Sequence, residues 1–223
     1  MSYGAKTNLG ICFQNSYGTA LTNSIHWIPF LSEGVGLKKD QLVSENMRGV
    51  FDEGANYEGP NSVEGDIECE AHPISLGVLL KAALGSPTTV TSTGVRTHTF
   101  KPATSDFDDY SAGRPFTVVK DLGDTGSAQL FYDLNGTKLS LSIANGEFLK
   151  ATLSVLGGKH TQIAAPAASY PAGNLLAWDV TSVSLDGAAN GDMTELNLEL
   201  DNSYENKYTL NASKTPSRTK RSG

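Results

Sequence analysis

These 223 residues predict a mainly β chain, an antiparallel sandwich or barrel with one α-helix on its flank. Three observations predict it. The composition is poor in charge, at 18%, and holds 23 glycines, which suits strands joined by many turns. The second half reads as short alternating runs separated by turn residues. A single stretch, residues 62–85, switches from a two-residue to a helical period.

That stretch, SVEGDIECEAHPISLGVLLKAALG, organises the rest. Glu64, Asp66, Glu68 and Glu70 occupy alternate positions, with Val63, Ile67, Cys69 and Ala71 between them. Alternate side chains of a strand point to opposite faces, so this strand has one acidic and one small, apolar face. His72-Pro73 ends it, because the residue before a proline leaves the ladder. Ile74, Leu76, Leu79, Leu80, Ala83 and Leu84 then fit a helix over 74–84, closed by a left-handed Gly85 and by Pro87. The helix covers the apolar face. A row of like charges is tolerated only where it faces water, so the other face is wet and negative.

Taken in order, residues 1–23 are polar, glycine-rich and aperiodic, and read as an extended arm. Residues 24–31 form a short strand with Pro29, which suits an edge. Residues 32–61 are a long polar segment; QLVSENMRGVF within it could be a strand. A connection of this length is usually functional or docked, and a neighbouring subunit is the expected dock. Residues 86–94 read as a turn region and 95–101 as a strand. Residues 102–114 form an acidic loop, with Asp106, Asp108 and Asp109 lacking the glycine and distal glutamate of a calcium loop. After the strand PFTVVKDL, Asn135-Gly136 and Asn145-Gly146 each signal a two-residue hairpin. The second leads into a strand with Phe148, Ala151, Leu153 and Val155 on the core side. Residues 157–174 read as a loop, and LLAWDVTSVSLDG as a strand and turn. In MTELNLELD, Leu196, Leu198 and Leu200 alternate with Glu195, Asn197, Glu199 and Asp201. The main domain therefore spans 24–210. Residues 211–223 are a basic tail, or a junction to a further segment.

Charge and chemistry narrow the function. The net charge is −7, and without the last thirteen residues it is −11, from 13 basic and 24 acidic groups. Such a body repels a polyanion rather than binding its phosphates. Cys12 and Cys69 read as buried free thiols. No apolar run approaches the roughly 18 residues of a membrane span, and the first residues lack a signal-peptide pattern. His26, His72, His98 and His160 are scattered, without metal-ligand spacing. There is no nucleophile elbow and no phosphate-cradling loop. Carboxylates two apart on one strand lie too close to flank a sugar from both sides. A structural protein without cofactor or metal is expected, made in a cytoplasm. A β-sandwich module on a virion or cell surface that binds carbohydrate or a receptor is the alternative, but Trp27 and Trp178 both read as strand residues, not as an exposed aromatic platform.

Several phrases together resemble one family. NLGICFQNSYGTA ends in Tyr17-Gly18-Thr19; a Trp27-Ile28-Pro29 strand follows. The span from Gly59 to Gly85 matches an acidic strand and a leucine-rich helix, and LNGTKLSLSIANGEFLKATLSVLG matches a core hairpin and strand. The chain is similar to the tail tube proteins of long-tailed bacteriophages in their larger two-part form, whose repeated half begins near LELDNSYENKYTLNASKTPSRTKRSG. The resemblance implies a β-barrel or sandwich with a flanking helix, assembled into hexameric rings whose inner sheets join. The rings stack into a tube within the virion tail, built in the host cytoplasm. Its partners are further copies, the tape measure protein and a tail terminator. DNA passes through the bore without specific binding. On this reading Glu64, Asp66, Glu68, Glu70, Glu195, Glu199 and Asp201 line the bore, and residues 32–61 contact the next ring.

Overall fold

The computed structural model describes residues 6–44, 56–102, 115–123, 126–180, 184–185, 188–189 and 192–221. Its strands are β1 (Asn8–Phe13), β2 (His26–Trp27), β3 (Ser32–Glu33), β4 (Gly36–Val43) and β5 (Asn56–Glu70). After the helix α1 (Pro73–Leu84) come β6 (Thr88–Ser92), β7 (Val95–Thr99), β8 (Phe116–Asp121), β9 (Ser127–Ala144), β10 (Lys150–Gly157) and β11 (Lys159–Ala164). Last are β12 (Ser184–Leu185), β13 (Ala188–Ala189), β14 (Glu195–Asp201), β15 (Tyr204–Lys207) and β16 (Arg218–Arg221). All pairings are antiparallel.

Two sheets share the 18-residue strand β9. Its first half lies between β8 and β11, with β1 and then β2 beyond β8. Its second half lies between β10 and β14, with β5 beyond β10 and β3 and β4 beyond that. The strand bends where it changes sheets. Asp133 takes a φ of 60°, and the pairing with β10 skips Thr137, so β9 carries a bulge there. A buried knot holds the bend. Gln14 accepts from the Asp133 backbone N–H at 2.8 Å and donates to its carboxylate at 2.9 Å. Gly18 N–H and the Lys159 ammonium reach the same carboxylate at 2.7 and 2.8 Å. A charge this buried is stable only when so paired. Next to that knot, the Tyr17 hydroxyl accepts from Thr219 N–H at 3.0 Å, joining the N-terminal loop to β16.

The larger of two buried clusters among the described residues fills the sandwich, and a smaller one gathers Trp27, Val119, Ala128 and Leu130 of the first sheet. In the larger, Leu9, Ile11, Val118 and Phe131 of the first sheet meet Ile67, Cys69, Leu153 and Val155 of the second, together with Leu79 and Ala83 of α1. Both thiols are free and buried. Lys120 of β8 and Glu33 of β3 form a largely buried ion pair that ties the sheets.

The helix forms where its signals place it. His72 Nδ1 accepts from Ile74 N–H at 3.2 Å as N-cap, and Pro73 opens the first turn. Gly85 has the positive φ expected of a glycine cap, 94°, and donates to Lys81 O, but its ψ of −173° is extended rather than that of the regular αL cap. The buried stripe is Ser75, Val78, Leu79, Ala82 and Ala83, at i, i+3, i+4, i+7 and i+8. It is not the leucine-rich set expected: Ile74 is exposed and Leu76, Leu80 and Leu84 only flank the stripe. Small residues face the sheet because the backbones approach closely.

Several expectations are corrected. Residues 8–13, expected within an arm, are β1, with Leu9, Ile11 and Cys12 buried. In the segment 32–61, β4 and the start of β5 form a ribbon whose β4 residues are mostly exposed; residues 45–55 and the acidic loop 103–114 lie outside the described residues. Asn135-Gly136 is not a hairpin but the buried bend of β9. Residues 88–92 are strand β6 and residues 159–164 strand β11. Trp178 begins a 3-10 turn, half exposed, where a strand was expected. The basic end forms β16, paired with β15. Phe148 is exposed, whereas Ala151, Leu153 and Val155 are buried as expected. The short edge strand β2 and the turn at Asn145-Gly146 agree with the sequence reading.

Candidate functional site

The second sheet has one dry face and one wet face, and β5 sets both. Val63, Ile67 and Cys69 are fully buried, which turns Glu64, Asp66, Glu68 and Glu70 to the opposite side. Register then decides what lies beside them. One row across the sheet reads Ser32, Glu68, Thr152, Ser140, Glu199. The next reads Asp66, Ser154, Lys138, Asp201. A third reads Glu70, Lys150, Ser142, Asn197, with Glu195 beyond it on β14. All seven singled-out carboxylates therefore share one face, although β5 and β14 are separated by two strands and about 130 residues of chain.

This face is polar almost throughout. Leu156, opposite Glu64, is its one apolar interruption on β10. Carboxylates two apart on a strand lie about 7 Å from each other, where each pair costs roughly 0.6 kcal/mol in water. Burial would multiply that cost several-fold, so the row is compatible with folding because it stays solvated. Asp66, Glu195, Glu199 and Asp201 are exposed, and Glu64, Glu68 and Glu70 half-buried.

Cations temper the field. Lys138 Nζ bonds Glu199 Oε2 at 2.9 Å. That bond, with Asp201 and Asp66 nearby, holds the Lys138 pKa above its ordinary value. Lys150 bonds Glu147 at 3.1 Å, and Lys38 pairs with Glu64 at the rim. Ser32 Oγ donates to Glu68 at 2.9 Å, and Ser203 N–H to Asp201 at 2.7 Å. Cys69, on the dry side, has its thiol pushed up to about 11 by burial and by Glu68 and Glu70, which disfavours the thiolate.

The sequence reading missed the centre of the face: Lys138, Ser140 and Ser142 from β9, and Thr152 and Ser154 from β10. Their signal is the alternation of Lys138, Ser140 and Ser142 against Leu139, Leu141 and Ile143. It is hidden once Asn135-Gly136 is taken for a turn. The leucines of β14 differ from expectation as well. Leu200 packs on the core, but Leu196 and Leu198 on the same side are exposed, because β14 is an edge strand beyond the cover of α1.

A second charged cluster binds the β4–β5 ribbon to the C-terminal segment. Glu58 bonds Lys214 at 2.6 Å and Lys39 at 3.1 Å. Those bonds, Lys214 first, lower its pKa to about 2. Asn61 N–H donates to Lys214 O, and Tyr208 Oη to Asn61 O.

Among the described residues, no group of three His, Cys, Asp or Glu could hold a metal ion, and no helix is long and apolar enough to cross a membrane. The arrangement is a broad, net-negative sheet surface with an open depression of about 460 Å³ beside Lys38, Glu64, Asp66, Ser154 and Tyr204. Against known proteins, a search of the curated set finds no match. The family described as "Phage tail tube protein" matches residues 4–222.

Proposed function

The chain belongs to the phage tail tube protein family, structural components of the virion tail that assemble into a tube, and from that premise we propose that the wet face of its second sheet lines the bore. The observation that carries this is the convergence of Glu64, Asp66, Glu68, Glu70, Glu195, Glu199 and Asp201 on one face through register alone. A net-negative wall repels phosphates, so DNA slides along it without adhering.

Closure follows from the sheet's edges. Among the described strands, β14 at one side and β3 with β4 at the other have no further neighbour. Such edges are a liability in a lone subunit and are removed when one copy's edge meets the next. Six copies joined in this way form a ring, with the dry face and α1 outward. Rings stack, and the β4–β5 ribbon, mostly exposed at β4, reaches the neighbouring ring. The bore holds the tape measure protein during assembly in the host cytoplasm, and a terminator caps the finished tube.

The test is a double charge reversal, Glu68→Lys with Glu199→Lys, in assembled tails. Tubes of unchanged width should form, and DNA ejection should slow severalfold, most at low ionic strength. Unchanged ejection, or a tube reconstruction with these residues on the outer wall, overturns the bore assignment.

A further inference from the structure

The β6–β7 ribbon stands apart from the body. Its register runs from Thr88 opposite Thr99 to Ser92 opposite Val95, closed by Thr93 (φ 47°) and Gly94 (φ 82°). Two successive positive φ values are those of a tight, right-twisted hairpin turn. Neither strand pairs with any other described strand, and all ten strand residues are exposed. A two-stranded ribbon wet on both faces is marginal by itself.

Its faces differ. Thr88, Val90 and Ser92 share one with Val95, Thr97 and Thr99; Thr89, Thr91, Arg96 and His98 share the other. Val90 and Val95 are 60% and 65% exposed on the first face, beside threonines that present methyl groups. Strand-forming β-branched residues fill a segment that buries none of them. Charge adds a direction. Residues 86–102 contain Arg96 and Lys101 and no acid, whereas the remainder holds 15 basic and 24 acidic residues. Within the ribbon Arg96, on the face opposite Val90 and Val95, is the one charged residue, so the ribbon is weakly positive against a negative body, and attraction of that kind steers copies together over about a Debye length.

We infer that the β6–β7 ribbon is an assembly arm, whose Val90–Val95 face lies against a second copy of this chain. A second copy is the occupant because the chain works in a tube, where like copies adjoin, and because its body carries the complementary charge. The inference rests on the tube-forming reading, but not on which face lines the bore.

Hydrogen exchange of the full chain, as monomer and as purified tubes, tests it directly. The amides of residues 88–99 should exchange at least 100-fold more slowly in tubes. Equal rates in the two states overturn the arm. Val90→Asp with Val95→Asp should leave the monomer's melting temperature unchanged and raise the concentration needed for assembly about tenfold. Arg96→Glu should raise it less, and only at low salt. Assembly of both variants at the wild-type concentration also overturns the inference. If the ribbon is protected while Glu68 and Glu199 prove to lie outside the bore, the arm stands and the bore assignment alone falls.

Discussion

Asn135-Gly136 and Asn145-Gly146 are the same dipeptide ten residues apart, and they do opposite things. The second is a hairpin turn in solvent, with Gly146 at φ 84° and open space where a Cβ would stand. The first is buried within β9, and its glycine has no left-handed conformation. Gly136 is there because a Cβ would come within 2.9 Å of Ala82 O and 3.1 Å of Leu153 Cδ1. One glycine is required for its backbone angles and the other for its lack of volume. The surroundings decide which: α1 lies directly over Gly136, and no described residue lies within 4 Å of where a Cβ on Gly146 would stand.

The contrast can be broken by making the same change at both sites. Gly136→Ala should cost about 2–3 kcal/mol, because the helix carbonyl cannot give way cheaply. In a chain of this size that lowers the melting temperature by about 5–10 °C. A fall of less than 2 °C would show that α1 does not press on this bend. Asn202→Ala tests the same contact from the other side. Asn202 Nδ2 donates to Ala83 O at 2.8 Å and to Gly136 O at 2.9 Å, stapling helix to strand. Leaving both carbonyls buried without a donor should cost about 2 kcal/mol, seen as a lower midpoint in denaturant. Gly146→Ala should cost only about 1 kcal/mol, all of it conformational. If it costs as much as Gly136→Ala, the distinction between volume and angle is wrong.

The smallest effect belongs to a fully exposed pair. Glu58 titrates near 2 instead of 4.5 because Lys214 and Lys39 bond it. Its depressed pKa means that the ionised form supports the ribbon above pH 4.5, and that this support fades as pH falls from about 4.5 to 2. Carboxyl NMR shifts should place the midpoint near 2 in the wild type and closer to 4.5 in Lys214→Ala. A wild-type midpoint at 4.5 would remove Glu58 from the account of how the ribbon is held.

The two dipeptides also show which parts of this fold were legible in the sequence. Where one face is dry and the other wet, alternation reveals the strand, as in β5 and β14. The capped helix was readable from His72-Pro73 and Gly85. β1 was not, because Leu9, Gly10, Ile11 and Cys12 are buried together and show no alternation. β4 and β16 failed for the opposite reason: GLKKDQLV is mostly exposed and RTKR has no apolar residue to alternate, so pairing alone makes them strands. The carboxylates of the candidate site were legible in both strands. Of the two strands that join them, β10 was legible from Ala151, Leu153 and Val155, but β9 was not, since its bend resembles a turn until α1 is placed over it.

The position of β1 has a consequence for how the chain is made. Its partner β8 lies about a hundred residues later, and among the described strands only the two-residue β2 is available sooner. At roughly 5–20 residues per second of synthesis, Leu9 and Ile11 wait some 5 to 20 s for the strand that pairs with theirs along its length. During that interval the nascent chain displays an unpaired apolar edge while the ribosomes around it produce the same edge. The subunit therefore becomes safe to release, and competent to meet its own copies in order, only after its middle has been translated.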